Sequence, residues 1–139
     1  MGGSMQDKKL LQMVRTYIAD IVQPELEKQG FKMNEETVEG EREWLFFKNG
    51  KRGKPYIELR VPITKTINIT FIATVREQFK VGSLDPDGDL WKEVTGYPFD
   101  SEESFKEQLK FLLNLTLEKG IPKMNELISK EQANKVGKQ

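Results

Sequence analysis

Cysteine and histidine are both absent from this chain of 139 residues. Without cysteine there is no disulfide, no thiol nucleophile and no thiolate metal site. Without histidine the usual neutral-pH base, the Ser/His/Asp and Cys/His arrangements and the usual zinc ligand are missing too. What remains implies no cofactor and no metal, and it offers no recognisable catalytic constellation. No apolar run reaches the roughly 18 residues that suggest a membrane span, and the start has no apolar core of a signal peptide, so the expectation is a cytoplasmic protein. Nor is there an excess of one charge: Lys plus Arg and Asp plus Glu each number 22. No long-range field draws the whole molecule to nucleic acid or to an acidic membrane, and an electrostatic partner would have to meet a local patch.

A chain of 16.1 kDa fits one domain with a sizeable core. Residues 6–130 read as that domain, the opening "MGGSM" as a vector remnant and residues 131–139 as a polar tail. Leu10, Leu11, Val14, Tyr17, Ile18, Ile21 and Val22 recur at helical spacing. Pro24 then kinks that helix or opens a short second piece, "PELEKQ", which ends at Gly30. Beyond Gly30 the period becomes two. "GFKMNEE", "EREWLFFK", "PYIELRVP" and "TINITFIATV" read as four strands, with a short fifth around Phe79.

Ile57, Leu59 and Val61 alternate with Tyr56, Glu58 and Arg60, and the next strand repeats the pattern, which predicts an antiparallel sheet covered on one side. A turn at Asp85-Pro86-Asp87-Gly88 should lead into a loop that tucks Trp91, Tyr97 and Phe99 against the body. Asp100 with Glu103 predicts a capping box for a helix carrying Phe105, Leu109, Leu112 and Leu113, closed by Gly120, and Pro122 can begin another short helix. Helices at both ends of the chain packed on one face of a single four- or five-stranded antiparallel sheet make an α+β fold. This order resembles a layout shared by several small bacterial α+β proteins, without a motif that ties it to a family.

The stretch "KNGKRGK", Lys48 to Lys54, holds four positive charges in seven residues. Gly50-Lys51-Arg52-Gly53 matches the GxxG of nucleotide-clamping KH loops, but that loop joins helices, and strands flank this one. A Walker A loop fails because Pro55 follows Gly53-Lys54. Asn49-Gly50 instead favours a hairpin turn whose basic tip is solvated, meets an acidic protein surface, or binds nucleic acid weakly. On the preceding turn Glu35, Glu36, Glu39, Glu41 and Glu43 face Arg42 alone, so the sheet would carry opposite charge at its two ends. Asp85, Asp87 and Asp89 start like a calcium loop, yet Leu90 and Gly96 break the pattern.

In "EREWLFFK" both faces are apolar, Trp44 and Phe46 on one, Leu45 and Phe47 on the other. One pair must lie under the Trp91 to Phe99 loop, in an interface or in a pocket. Two readings follow. The first is a non-enzymatic protein-interaction domain of inhibitor, immunity or adaptor type, binding a protein partner or a second copy through the outer sheet face and charged turns. Its contact residues would be Trp44, Phe47, Tyr56, Arg60, Lys48, Lys51, Arg52 and Lys54. The second is a small enzyme or small-molecule-binding protein with Glu58, Arg60, Trp91 and Tyr97 around a pocket between the sheet and residues 85–99. Nucleic-acid binding through residues 48–54 ranks below both, because the basic cluster is too short to track a backbone.

Overall fold

The computed structural model describes the backbone of residues 2–38, 41–62 and 64–137, with side chains at 9–34, 43–62 and 64–134. Helix α1 (Gly2–Tyr17) passes through a π-helical turn (Ile18–Val22) into α2 (Gln23–Lys28). Pro24 explains the interruption. It has no N–H to give, and its ring clashes with a carbonyl four residues back in a regular helix. Widening the turn, with the Gln23 N–H donating to the Ile18 carbonyl five residues back, lets the helix continue. Val14, Ile18, Val22 and Leu26 form its buried stripe, and Gly30, at a φ of +88°, ends it as expected.

Strands β1 (Phe31–Val38), β2 (Glu41–Lys48), β3 (Tyr56–Arg60), β4 (Thr66–Ile72) and β5 (Gln78–Lys80) form an antiparallel meander in chain order. A two-residue sixth strand, β6 (Tyr97–Pro98), extends the sheet by pairing with the start of β4. The register sorts the side chains into rows. Met33, Phe46, Ile57, Phe71 and Phe79 line up across the inner face, and Trp44, Leu59 and Ile69 form the next row. Helix α4 (Glu102–Leu115) covers this face together with α1 and α2, and Phe105, Leu109 and Leu112 are fully buried against it. The α+β class and the one-sided sheet agree with the sequence reading.

The C-terminal half departs from that reading in three places. Ser101, not Asp100, is the N-cap of α4; its hydroxyl accepts from the Ser104 N–H at 3.0 Å, while the Ser104 hydroxyl accepts from the Ser101 N–H. The capping box is shifted by one residue because Ser101 holds the extended backbone that a cap requires. Gly120 does not close the helix. A second π-helical turn (Thr116–Gly120) carries the chain into α5 (Ile121–Gly137), with the Ile121 N–H donating to the Thr116 carbonyl and Pro122 second in the new helix. Both prolines are handled by one device. Residues 131–137, read as a tail, belong to α5.

Gly120 stays in the helix because Phe71 requires it. A Cβ there would stand 2.4 Å from Cζ of Phe71, far inside contact distance, and that ring is stacked on Phe79 at 4.8 Å. Gly120→Ala should therefore lower stability by roughly 1–3 kcal/mol, the usual cost of forcing volume into a packed core. The urea midpoint would show it. Adding Phe71→Leu should recover part of that loss, giving non-additivity in the double-mutant cycle, whereas strict additivity would refute the contact.

Candidate functional site

On the outer face of the sheet the register builds three rows. Lys32, Phe47, Tyr56, Ile72 and Gln78 form one; Asn34, Leu45, Glu58, Thr70 and Lys80 the next; Glu43, Arg60 and Asn68 the third. The long helices place their buried residues on the other side, whereas the short helical segment Leu90–Thr95 meets this face at its edge: Gly96 lies against the Asn68 side chain, and Lys80 donates to the Val94 carbonyl. Leu45, Phe47 and Ile72 are nevertheless buried. Phe47 is covered by its neighbours: the Tyr56 ring lies 5.5 Å from that of Phe47, and the Arg52 guanidinium sits over the Phe47 ring at 5.8 Å. Phe47 is therefore the floor of the surface, with Tyr56 and Arg52 above it.

Beside this aromatic pair, Arg60 donates to Glu43 at 2.9 Å and lies 3.5 Å from Glu58. The three side chains bridge adjacent strands and hold one another upright on the sheet. A guanidinium held between two carboxylates has little rotamer freedom left to lose.

The basic loop follows from its turn chemistry. Asn49 and Gly50 take φ of 54° and 73°, and the Lys51 N–H donates to the Lys48 carbonyl, a turn of the type that suits twisted strands. Lys48 turns back to the body: its ammonium donates to the Gln29 carbonyl at the end of α2 and stands 4.9 Å from the Phe31 ring centroid. It caps a helix and is withdrawn from the partner-binding set. Lys51, Arg52 and Lys54 remain exposed at the tip. Of the acidic turn that would balance them, Glu39 lies outside the described residues, as do the side chains of Glu35, Glu36 and Glu41.

Two further expectations are corrected. Trp44 is 1% exposed on the inner face, a core residue that cannot anchor a partner. Residues Leu90–Thr95 form a short helix, α3, and Trp91 on it is 73% exposed, so Trp91 does not cover the sheet. Glu58 and Arg60 are on the outer face, Tyr97 is buried in β6 and Trp91 points to solvent, so the four residues of the alternative pocket are not brought together. The seam where that pocket was expected, lined by Asn68, Lys80, Gly82, Glu93 and Tyr97, has no room for even a water.

Other cavities offer little more. The core contains an apolar void of about 10 Å³ between Val22, Phe46 and Leu109, too small and too dry for a ligand. An open groove of about 460 Å³ along α1 and α4 is lined by Tyr17, Glu102, Glu103, Lys106, Glu107 and Lys110 and lacks an apolar floor. Among the described residues no cluster of three or more side chains could hold a metal ion, and no helix is long and apolar enough to cross a membrane. Comparison with protein-family models, curated proteins and solved structures finds no match to this chain.

Sequence reasoning missed α3 and the tyrosine that fastens the segment before it. The Tyr97 hydroxyl donates to Asp85 at 2.8 Å, closing the Asp85–Gly88 turn onto β6. Burial first, and then this bond to a carboxylate, raise the Tyr97 pKa well above the ordinary tyrosine value. Burial, with help from Glu58 and Glu43, also raises Tyr56, and the Tyr17 hydroxyl is raised chiefly by its hydrogen bond to Glu102. A folded-state pKa above the unfolded value of about 10 means that the unfolded chain loses its proton first as pH rises. The Tyr97 contribution is complete below pH 10 and should drain away as pH climbs beyond it. Thermal melts from pH 9 to 12 should fall steeply for the wild type and less steeply for Tyr97→Phe; parallel curves would show that the Asp85 bond contributes nothing.

Proposed function

We propose that the chain is a non-enzymatic protein-binding module of inhibitor, immunity or adaptor type, and that the outer face of the sheet is its recognition surface. The observation that carries this reading is the cross-strand arrangement of the outer sheet face, which the long helices leave uncovered. Tyr56 and Arg60 stand on it as the residue types that dominate binding energy in protein interfaces, and Phe47 lies beneath as an apolar floor. Lys51, Arg52 and Lys54 at the neighbouring loop tip supply exposed charge that would steer an acidic partner toward this face. The partner is a protein with an acidic, fairly flat surface.

A flat face with pre-set polar groups suits a macromolecule better than a small molecule, which needs a concave site that removes most of its surface from water. Nucleic acid is a poorer fit still. With Lys48 engaged at the end of α2 and Arg52 over the Phe47 ring, the loop offers too short a run of charge to track a backbone, and the chain as a whole carries no net charge.

Affinity capture from cells of the source organism, with Tyr56→Ala and Arg60→Leu as controls, tests the assignment. Each variant should weaken a captured partner by about thirtyfold while circular dichroism stays unchanged. Lys51→Glu with Lys54→Glu should slow association and flatten its salt dependence, leaving dissociation nearly unaltered. A partner held equally well by the Tyr56 and Arg60 variants would remove the sheet face from consideration.

A further inference from the structure

Helix α3 is amphipathic with its faces reversed. Leu90 and Trp91 are each 73% exposed and Val94 59%, whereas the polar Lys92, Glu93 and Thr95 on the same six-residue helix are half-buried. In a free-standing domain the apolar stripe of a surface helix faces the core. Here the ammonium of Lys92 sits 5.7 Å from the Tyr97 ring centroid on the body side, and the backbone of Glu93 rests on Gly82, where a Cβ would come within 2.7 Å of the Glu93 Cα. Asp89 caps the start by accepting from the Lys92 N–H at 2.8 Å, and Lys80 donates to the Val94 carbonyl near the end. The helix is clamped in this orientation, so its apolar side is held in water by the fold.

We propose that Leu90, Trp91 and Val94 form a protruding anchor that docks into an apolar cleft with a basic rim on a partner protein. Three observations select this occupant. Shape is the first. No residue of α3 is buried, so the helix stands proud of the body, and a convex knob needs a concave receptor. Two copies meeting knob to knob would bury little.

Size is the second. One exposed tryptophan with a leucine and a valine presents an apolar patch of a few hundred Å², about half of the roughly 800 Å² that each side of a standard interface contributes. That matches the hot centre of an interface whose remainder is polar, and a helix presenting side chains at i, i+1 and i+4 is a common way to fill a groove.

Charge is the third. Asp87 and Asp89 are exposed immediately before the helix, and among the described residues neither enters an ion pair. Lysines near the patch keep their charge but are directed to other groups, Lys80 to the Val94 carbonyl, Lys92 to the Tyr97 ring on the body side and Lys119 to the Leu84 carbonyl, which leaves the two carboxylates as the charges immediately before the helix. A negative flank repels anionic lipid and calls for lysine or arginine around the receiving cleft.

This anchor is independent of the sheet-face reading, and its test keeps the two apart. A photoreactive benzophenone amino acid is placed at position 91 of the full chain in cells of the source organism. The adduct is identified by mass spectrometry, and the purified adduct protein is then titrated with the wild type and with Trp91→Ala, Asp87→Lys/Asp89→Lys and Arg60→Leu. Light scattering of the pure chain and flotation with anionic vesicles are run alongside. The expected result is one foreign protein adduct, an affinity reduced about thirtyfold or more by Trp91→Ala, and a clear further weakening by the double lysine variant, with melting temperatures unchanged.

Absence of an adduct, an adduct to a second copy, Trp91-dependent flotation, or equal binding by Trp91→Ala would each overturn the proposal. A partner lost with Arg60→Leu but kept with Trp91→Ala would support the sheet face and refute the anchor. The reverse pattern would support the anchor and refute the sheet face.

Discussion

The seat of the C-terminal helix on the Phe71 ring sets the terms for much of the remaining structure. Phe71 occupies β4, stacks on Phe79 of β5, and leaves space for a hydrogen where the helical turn passes over it. Gly120 is the residue that can pass. Lys119, next to it, reaches the Leu84 carbonyl and Lys123, one turn on, sits 4.6 Å from the Phe79 ring centroid, so the same turn is tied to the segment that follows β5. That segment contains Gly82, on which the backbone of α3 rests. A single close approach in the core thereby reaches, through three contacts, to a short helix that exposes its apolar side.

The same seat has a consequence for the opposite face. With α1, α2, α4 and the start of α5 all committed to the inner side, where Met124 is fully buried, only the short α3 is left for the outer side among the described residues, and it meets that face at Asn68 and Lys80. Sheets of this kind can tolerate water on one side because alternation places polar groups there. What is unusual is the pair Leu45 and Phe47 on the wet side of β2. They are buried by the side chains around them, which means that the outer surface is ordered by its own cross-strand packing. An ordered surface of this kind can recognise a partner without first being organised by it.

Much of this architecture was legible because strands advertise themselves locally. The alternation through Ile57, Leu59, Ile67, Ile69 and Phe71 fixes which face is buried, and one residue of slip would invert it. Helix ends were less legible. Gly120 carries the mark of a stop signal, and nothing in the local sequence reveals that a phenylalanine far earlier in the chain, Phe71, demands a glycine for steric reasons. The offset between Asp100 and Ser101 as cap is of the same origin: several small polar residues in succession can each accept the amide, and the backbone conformation decides among them. Trp44 and Trp91 were misplaced for a different reason. Period two assigns Trp44 to a face but not to the core, and six residues of α3 are too few to show a helical period at all.

The placement of the two tryptophans is the most informative outcome of that comparison. Had Trp91 folded onto the sheet, it would have covered the outer face, and Lys92 and Glu93 would have faced water as their chemistry prefers. The observed arrangement holds both the sheet face and the apolar side of α3 open, at the cost of burying part of a lysine and a glutamate against the body. Seating α3 on Gly82 and tying its end to Lys80 is what prevents the alternative. Those contacts keep a tryptophan in water, where solvation of an indole offers no stability in return, so the exposure of Trp91 is set by the seating of its helix and not by any preference of the side chain. The exposed apolar side of α3 is in that sense a consequence of the packing around Gly82.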